Sequence, residues 1–236
     1  MKNKALVLSL TAICIVLLAM VVIIGGFRTD FFHRQLVKLG WVEFPAESAN
    51  ISSKCVKGWD NTLQKLDVDV DVVFYGNSIT AGSDFRQYFP DVAICNLGCP
   101  SDGLADMRSR AYTIASVHPE KVFVMGGINY LKQTTIESFT RQYRDMVEAI
   151  REACPNASIY LQSILPVRDR ELTMKVKTCN AVIDSLASAY GYPFIDLFPL
   201  YEKDGCLNEA YSTDGVHLKP EHYNKWAEAI RRYVYE

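Results

Sequence analysis

From about residue 67 onward the chain alternates between two hydrophobic periods. Short apolar runs rich in β-branched and aromatic residues read as buried strands: Val72-Val73-Phe74-Tyr75, Val92-Ala93-Ile94-Cys95-Asn96, Val122-Phe123-Val124-Met125, Ser158-Ile159-Tyr160-Leu161 and Tyr192-Pro193-Phe194-Ile195. Between them, apolar residues recur at helical spacing. One series is Ile136, Phe139, Tyr143, Met146, Val147 and Ile150; another is Leu172, Val176, Cys179, Ile183 and Leu186. Asp102 is placed to cap a helix running to about Val117. Pro220 suits the first residue of a last helix, with Tyr223, Trp226, Ile230 and Tyr233 on one face. Five strands alternating with helices predict an α/β fold with a parallel, doubly wound sheet.

The first 26 residues follow neither period. Lys2 and Lys4 precede an uncharged run from Ala5 to Gly26, long enough to cross a bilayer as a helix. The run exceeds the apolar core of a cleavable signal peptide, and Ile24-Gly25-Gly26 is a poor cleavage site. We expect an N-terminal membrane anchor over 1–26, with the basic tip inside and the domain exported, the alternative being a cleaved signal and a secreted protein. Residues 27–66, with Pro45 and several serines, read as a stem ending in a short helix from Cys55 to Leu66. The domain itself is expected over 67–236.

Composition narrows the function. Hydrophobic residues make up 49% of the 236 and charged residues 22%, enough for a full core. A pI near 6.1 argues against a nucleic-acid partner. The seven cysteines have irregular spacing and no C-x-x-C metal motif; the six outside the anchor are an even number that an exported domain could pair, so disulfides stay open beside buried thiols. Several lie in apolar runs and read as buried thiols. No cofactor is implied.

The first strand ends in Gly76-Asn77-Ser78. Open α/β sheets bind ligands beyond the carboxyl ends of their strands, so Ser78 is a candidate nucleophile. A serine needs a base and the base an orienting group. Of four histidines, His33 lies in the stem, His118 in a loop at the opposite sheet end, and His222 on the solvent side of the last helix. His217 sits three residues after Asp214 in Ser212-Thr213-Asp214-Gly215-Val216-His217-Leu218, a spacing that lets one loop present a touching carboxylate and imidazole. Donors for an oxyanion are available after strand three, in Gly126-Gly127-Ile128-Asn129, and after strand two, in the loop Asn96 to Asp102. Arg168 and Arg170 follow strand four on the same side, placed either to meet an acidic substrate or as solvated loop charges. The Gly-x-Ser-x-Gly elbow is absent.

These residues resemble the SGNH hydrolases, also called GDSL-type esterases and lipases, over most of the chain from about 70 to 235. Gly76-Asn77-Ser78 is similar to their Gly-Asp-Ser block; Asn96, Gly98, Ser101 and Asp102 to their Asn-x-Gly-x-x-Gly-Asp block; Gly127-Ile128-Asn129-Tyr130 to Gly-x-Asn-Asp; and Asp214-Gly215-Val216-His217-Leu218 to Asp-x-x-His. Ser163-Ile164-Leu165-Pro166 and Tyr223-x-x-Trp226-Ala227 resemble the branch of platelet-activating-factor acetylhydrolase catalytic subunits and bacterial sugar esterases. The resemblance implies a flavodoxin-like three-layer α/β/α sandwich. It implies a catalytic Ser78, His217 and Asp214, and an oxyanion hole from the backbone N–H groups of Ser78 and Ser101 and the amide of Asn129. Three positions depart from the pattern: Asn77 for aspartate, Ser101 for glycine and Tyr130 for aspartate. Asn77, Tyr130 and Arg168 are the expected substrate contacts.

The function so implied is a metal-free serine esterase acting on small-molecule or glycan esters, with short acyl groups such as acetyl expected first. A lipid esterase, an O-acetyltransferase with the same triad and a non-catalytic glycan-binding module are the alternatives. Oligomeric state is not legible.

Overall fold

A computed structural model of the protein describes residues 69–236. The expected anchor, stem and lead-in helix, with Cys14, His33 and Cys55, lie outside the described residues. Among the described residues no helix is long and apolar enough to cross a membrane.

The sheet is built outward from β1 (Val72–Gly76), whose five residues are all buried. β1 pairs in parallel with β2 (Ile94–Gly98) on one side and β3 (Lys121–Met125) on the other. β4 (Ser158–Gln162) and β5 (Phe194–Ile195) continue the parallel sheet beyond β3, giving the order β2-β1-β3-β4-β5. The chain leaves β1 toward one edge and returns to its other side. The carboxyl end of β1 is therefore the point where the winding reverses and a crevice opens. Ser78 lies two residues beyond that end.

Side chains of a strand alternate between faces, and the aromatic residues exploit this. Phe74, Phe123 and Tyr160 occupy matching register positions on β1, β3 and β4. Their rings stack at centroid separations of 5.3 and 4.6 Å. Phe85 stacks on Phe74 at 3.8 Å and meets Trp226 edge-on at 5.2 Å. Trp226 belongs to the last helix, α5 (Tyr223–Tyr235), which thus covers this face. On the other face, the Tyr75 hydroxyl donates to the Met107 carbonyl in α2 (Leu104–Ser109). α3 (Ile136–Ala153) packs against both α2 and α4 (Arg170–Tyr190), completing the second helical layer. The helical face read from sequence is the buried one in α3, apart from half-buried Ile136. In α4 the same holds apart from half-buried Leu172.

Five local expectations change. β2 sits two residues later than its apolar run, because Gly98 extends the pairing opposite Gly76. A Cβ at Gly98 would lie 2.3 Å from the Ala81 backbone nitrogen, so only glycine lets β2 run this far. β5 is shortened to Phe194–Ile195, with Pro193 contributing only its carbonyl, to Leu161 N. Asp102 does not cap a helix to Val117. Gly103 is the N-cap, α2 ends at Ser109, and a 3-10 segment (Ala111–Val117) follows; the Asp102 carboxylate turns inward to Arg110 instead. Pro220 opens a 3-10 turn (Pro220–His222) rather than α5 itself. His222 is not on the solvent side: its ring packs against Tyr211 at 4.5 Å.

A hairpin of two-residue strands, β6 (Glu202–Lys203) and β7 (Cys206–Leu207), has no counterpart among the expected elements. It is made by the turn, since Asp204 and Gly205 both take left-handed backbone (φ 53° and 83°). Among the described residues no disulfide joins Cys95, Cys154, Cys179 or Cys206. Burial pushes the Cys154 and Cys179 thiols up to about 11, which keeps them protonated and inert.

Trp226 is the anchor of the α5 face: fully buried, it donates its indole N–H to Gln162 Oε1 at 2.6 Å. Replacing it by alanine should lower the unfolding free energy by about 3–5 kcal/mol. Urea denaturation measures this, and a loss below about 1 kcal/mol would contradict the packing described.

Candidate active site

The turn after β1 is tight for a steric reason. A Cβ at Gly76 would lie 2.1 Å from Thr80 Oγ1 and 2.5 Å from the Met125 carbonyl. Asn77 then caps the one-turn helix α1 (Ser78–Ala81) by accepting from Ile79 N at 3.0 Å. Ser78 is the first residue of that helix. The Tyr223 hydroxyl, from α5, donates to the Ile79 carbonyl at 2.7 Å and ties the turn to the far side of the sandwich.

Ser78 Oγ lies 2.8 Å from His217 Nε2, and His217 Nδ1 lies 2.6 Å from Asp214 Oδ2. With the proton on Nδ1, donated in a hydrogen bond to the Asp214 carboxylate, Nε2 accepts from the serine hydroxyl. The three-residue spacing works because the Asp214 side chain folds its own loop: Oδ1 accepts from the backbone N–H groups of Val216 (2.9 Å) and His217 (2.8 Å). Ser212 Oγ accepts from Gly215 N, and a bridge between Ser212 and Leu218 closes the loop's base. Burial pushes the Asp214 carboxyl up. The His217 ring and the His217 and Val216 N–H groups outweigh that and hold it well below the usual carboxylate range.

Arg168 has a different place from the one expected. Its guanidinium donates to the carbonyls of Thr213 (3.0 Å) and Asp214 (3.2 Å), and its backbone N–H to that of Gly215 (2.8 Å). Gly215, at φ 88°, packs so closely that a Cβ would fall 2.6 Å from Arg168 Cβ. Arg168 therefore grips the Asp214–His217 loop instead of standing free for a substrate. Asn77 is also corrected as a substrate contact, since it is fully buried. Its Oδ1 keeps the capping bond that an aspartate would make, while its Nδ2 has no acceptor among the described residues. Tyr130 is exposed beside Asn129.

The two expected oxyanion segments are brought together. Cys99 N donates to the Gly76 carbonyl at 2.9 Å, fastening the loop after β2 to the end of β1. Asn129 Nδ2 donates to the Asp102 carbonyl at 2.8 Å, joining the loop after β3 to it. One amide N–H is used there and the other remains for a ligand. Ser101 takes φ 70°, which accounts for glycine in the resembling motif and leaves the exposed serine strained.

Sequence reasoning missed Arg110. It is buried beneath the site, with Nε to Asp102 Oδ2, Nη1 to the Leu97 carbonyl (3.0 Å), Nη2 to the Gly76 carbonyl (2.8 Å) and its plane 4.2 Å above the Tyr75 ring. The only trace in sequence is an arginine eight residues after Asp102, and Asp106 and Arg108 in the same stretch leave it unmarked. Among the described residues no three His, Cys, Asp or Glu side chains are grouped to hold a metal ion.

The sequence profile of the GDSL-like lipase/acylhydrolase family matches residues 74–225. The chain belongs to the GDSL-like lipase/acylhydrolase family. It is accordingly a carboxylic ester hydrolase. No protein with a curated description matches it. Among solved structures of the same fold, a Streptococcus pneumonia protein provisionally described as a platelet activating factor is 21% identical, covering 89% of this chain and 99% of its own, with a TM-score of 0.71. A GDSL-like lipase from Bacteroides thetaiotaomicron is 21% identical over 76% of this chain and 97% of its own, at 0.67. An acetylxylan esterase from Geobacillus stearothermophilus is 15% identical over 72% and 96%, at 0.58. At such identities the likeness is one of fold.

The depressed Asp214 pKa makes a prediction with a definite sign. A carboxylate whose folded pKa lies below its unfolded value of about 3.9 stabilises the fold above that pH, and the contribution fades as pH falls through the folded value. The stability difference between the wild type and Asp214→Asn should be full at neutral pH and shrink only below about pH 4. Urea midpoints across pH measure it, and a difference that grows in acid would contradict the assignment.

Proposed function

We propose that this GDSL-like hydrolase is a serine esterase that removes short acyl groups, acetyl foremost, from small-molecule or glycan esters. The observation that carries the reading is the continuous chain of contacts from Ser78 Oγ through His217 to Asp214. Ser78 Oγ attacks the ester carbonyl while its proton passes to His217 Nε2. The carbonyl π electrons move onto oxygen. The backbone N–H groups of Ser78 and Ser101 and the second amide N–H of Asn129 hold that oxyanion. Collapse expels the alcohol, which takes the proton from Nε2. Water then attacks the acyl-enzyme by the same route in reverse, releasing the acid and restoring Ser78. Asp214 stays ionised throughout and supports the imidazolium.

The small-acyl preference draws on the acetylxylan esterase among the structures of like fold and on the absence of a long apolar lid after Ser78 in the sequence. We place the domain outside the cytoplasm, tethered by residues 1–26, on the strength of the basic tip and uncharged run. Protease treatment of intact cells should remove the domain, and full protection would contradict that orientation.

Hydrolysis of p-nitrophenyl acetate by the purified chain tests the chemistry. Ser78→Ala and His217→Ala should each lower kcat by about a thousandfold or more. Asn129→Ala should lower it by about a hundredfold with little change in KM, because the oxyanion forms only in the transition state. Equal activity in wild type, Ser78→Ala and His217→Ala would overturn the mechanism.

A further inference from the structure

Tyr130 bears a conformational penalty to be where it is. It is a bulky residue in left-handed backbone, at φ 61°, a state that costs on the order of 1–3 kcal/mol and persists only where the surroundings enforce it. Here the Tyr130 carbonyl is held by the Gln133 backbone N–H (3.1 Å) and the Thr134 hydroxyl (2.8 Å). Its ring lies against Gly103, the N-cap of α2, where glycine is an acceptable cap that supplies no side chain. A Cβ at 103 would meet the Tyr130 ring, 2.8 Å from Cδ2 and 3.2 Å from Cε2. The result is a single aromatic ring laid against Gly103 at the rim of the site, next to Asn129.

That ring is not core. It is 63% exposed, more than Tyr112, Met174 or Tyr235, the other large exposed hydrophobics among the described residues. Its chain neighbours Lys132 and Gln133 are exposed and polar, as is Ser101 on the facing loop. An acyl chain or lipid surface calls for a contiguous apolar patch. One ring in a polar rim matches a pyranose, whose C–H face packs on an aromatic plane while its hydroxyls meet water and polar groups at the edge.

We propose that Tyr130 is a stacking platform for the sugar ring of an acylated carbohydrate and so selects the alcohol side of the ester. The proposal rests on the esterase reading above and names the substrate class of that site.

The test compares kcat/KM for peracetylated methyl β-xylopyranoside with that for ethyl acetate, which has no ring to stack. In Tyr130→Gly, which removes the ring and relieves the left-handed backbone, the ratio of the two should fall about three- to tenfold, through KM for the sugar ester. Tyr130→Trp should retain the ratio. Gly103→Ala, which displaces the ring without removing it, should lower it. A ratio unchanged in Tyr130→Gly, or a wild type that hydrolyses ethyl acetate but not the sugar ester, overturns the proposal. So does a loss confined to p-nitrophenyl palmitate, which would make the ring an acyl-chain contact. Ser78→Ala run alongside separates the two readings: if it retains activity the esterase mechanism fails, and if it is inactive while the ratio is unmoved only the role of Tyr130 fails.

Discussion

A guanidinium buried under the nucleophile turn holds three pieces of backbone in one place. Arg110 donates to the carbonyl at the end of β1, to one near the end of β2, and to the Asp102 carboxylate in the loop between β2 and α2. The Gly76 carbonyl already accepts from Cys99 N, and Arg110 adds a second donor to it. The fork geometry of arginine reaches two carbonyls and a carboxylate at once, which a lysine ammonium could not do in one plane. Removing one partner of such a buried pair typically costs about 3–5 kcal/mol, because the other charge is left without compensation.

The arrangement of the candidate site depends on that tie. Asp102 accepts the arginine through its side chain and Asn129 through its backbone carbonyl. The loop after β2 and the loop after β3 are thereby fixed to each other and to the turn that carries Ser78. The departure Asn77 is accommodated within the same frame. Its oxygen keeps the cap on α1, and the lost charge is set against a region already neutralised by the Arg110–Asp102 pair.

The other half of the site is held from the opposite end of the chain. Arg168 grips the loop of Asp214 and His217 through carbonyls, and Tyr223 in α5 reaches back to the Ile79 carbonyl. Ser78 and His217 are 139 residues apart in sequence yet 2.8 Å apart in space. Each is presented by a short segment whose own side chains, Asn77 and Asp214, satisfy its backbone. Local self-sufficiency of this kind lets short polar turns hold a geometry that packing alone would not enforce.

What the sequence determined by itself follows from periodicity and local chemistry. The alternation of apolar runs with helical spacing specified five parallel strands, because a strand buried on both faces and a crossover helix each leave a distinct pattern. The winding put Ser78 at the reversal point, and the Asp214–His217 spacing is a property of one loop. Tertiary structure alone decided the rest. Arg110 bonds to carbonyls, which every residue possesses, so no side-chain pattern marks its partners. Arg168 and Asn77 look like substrate contacts until the fold shows one gripping a loop and the other buried. Asp102 looks like a helix cap until Arg110, eight residues on, claims its carboxylate. Periodicity reports which face of an element is dry; it carries no information about which backbone carbonyls on other elements a buried polar side chain will meet.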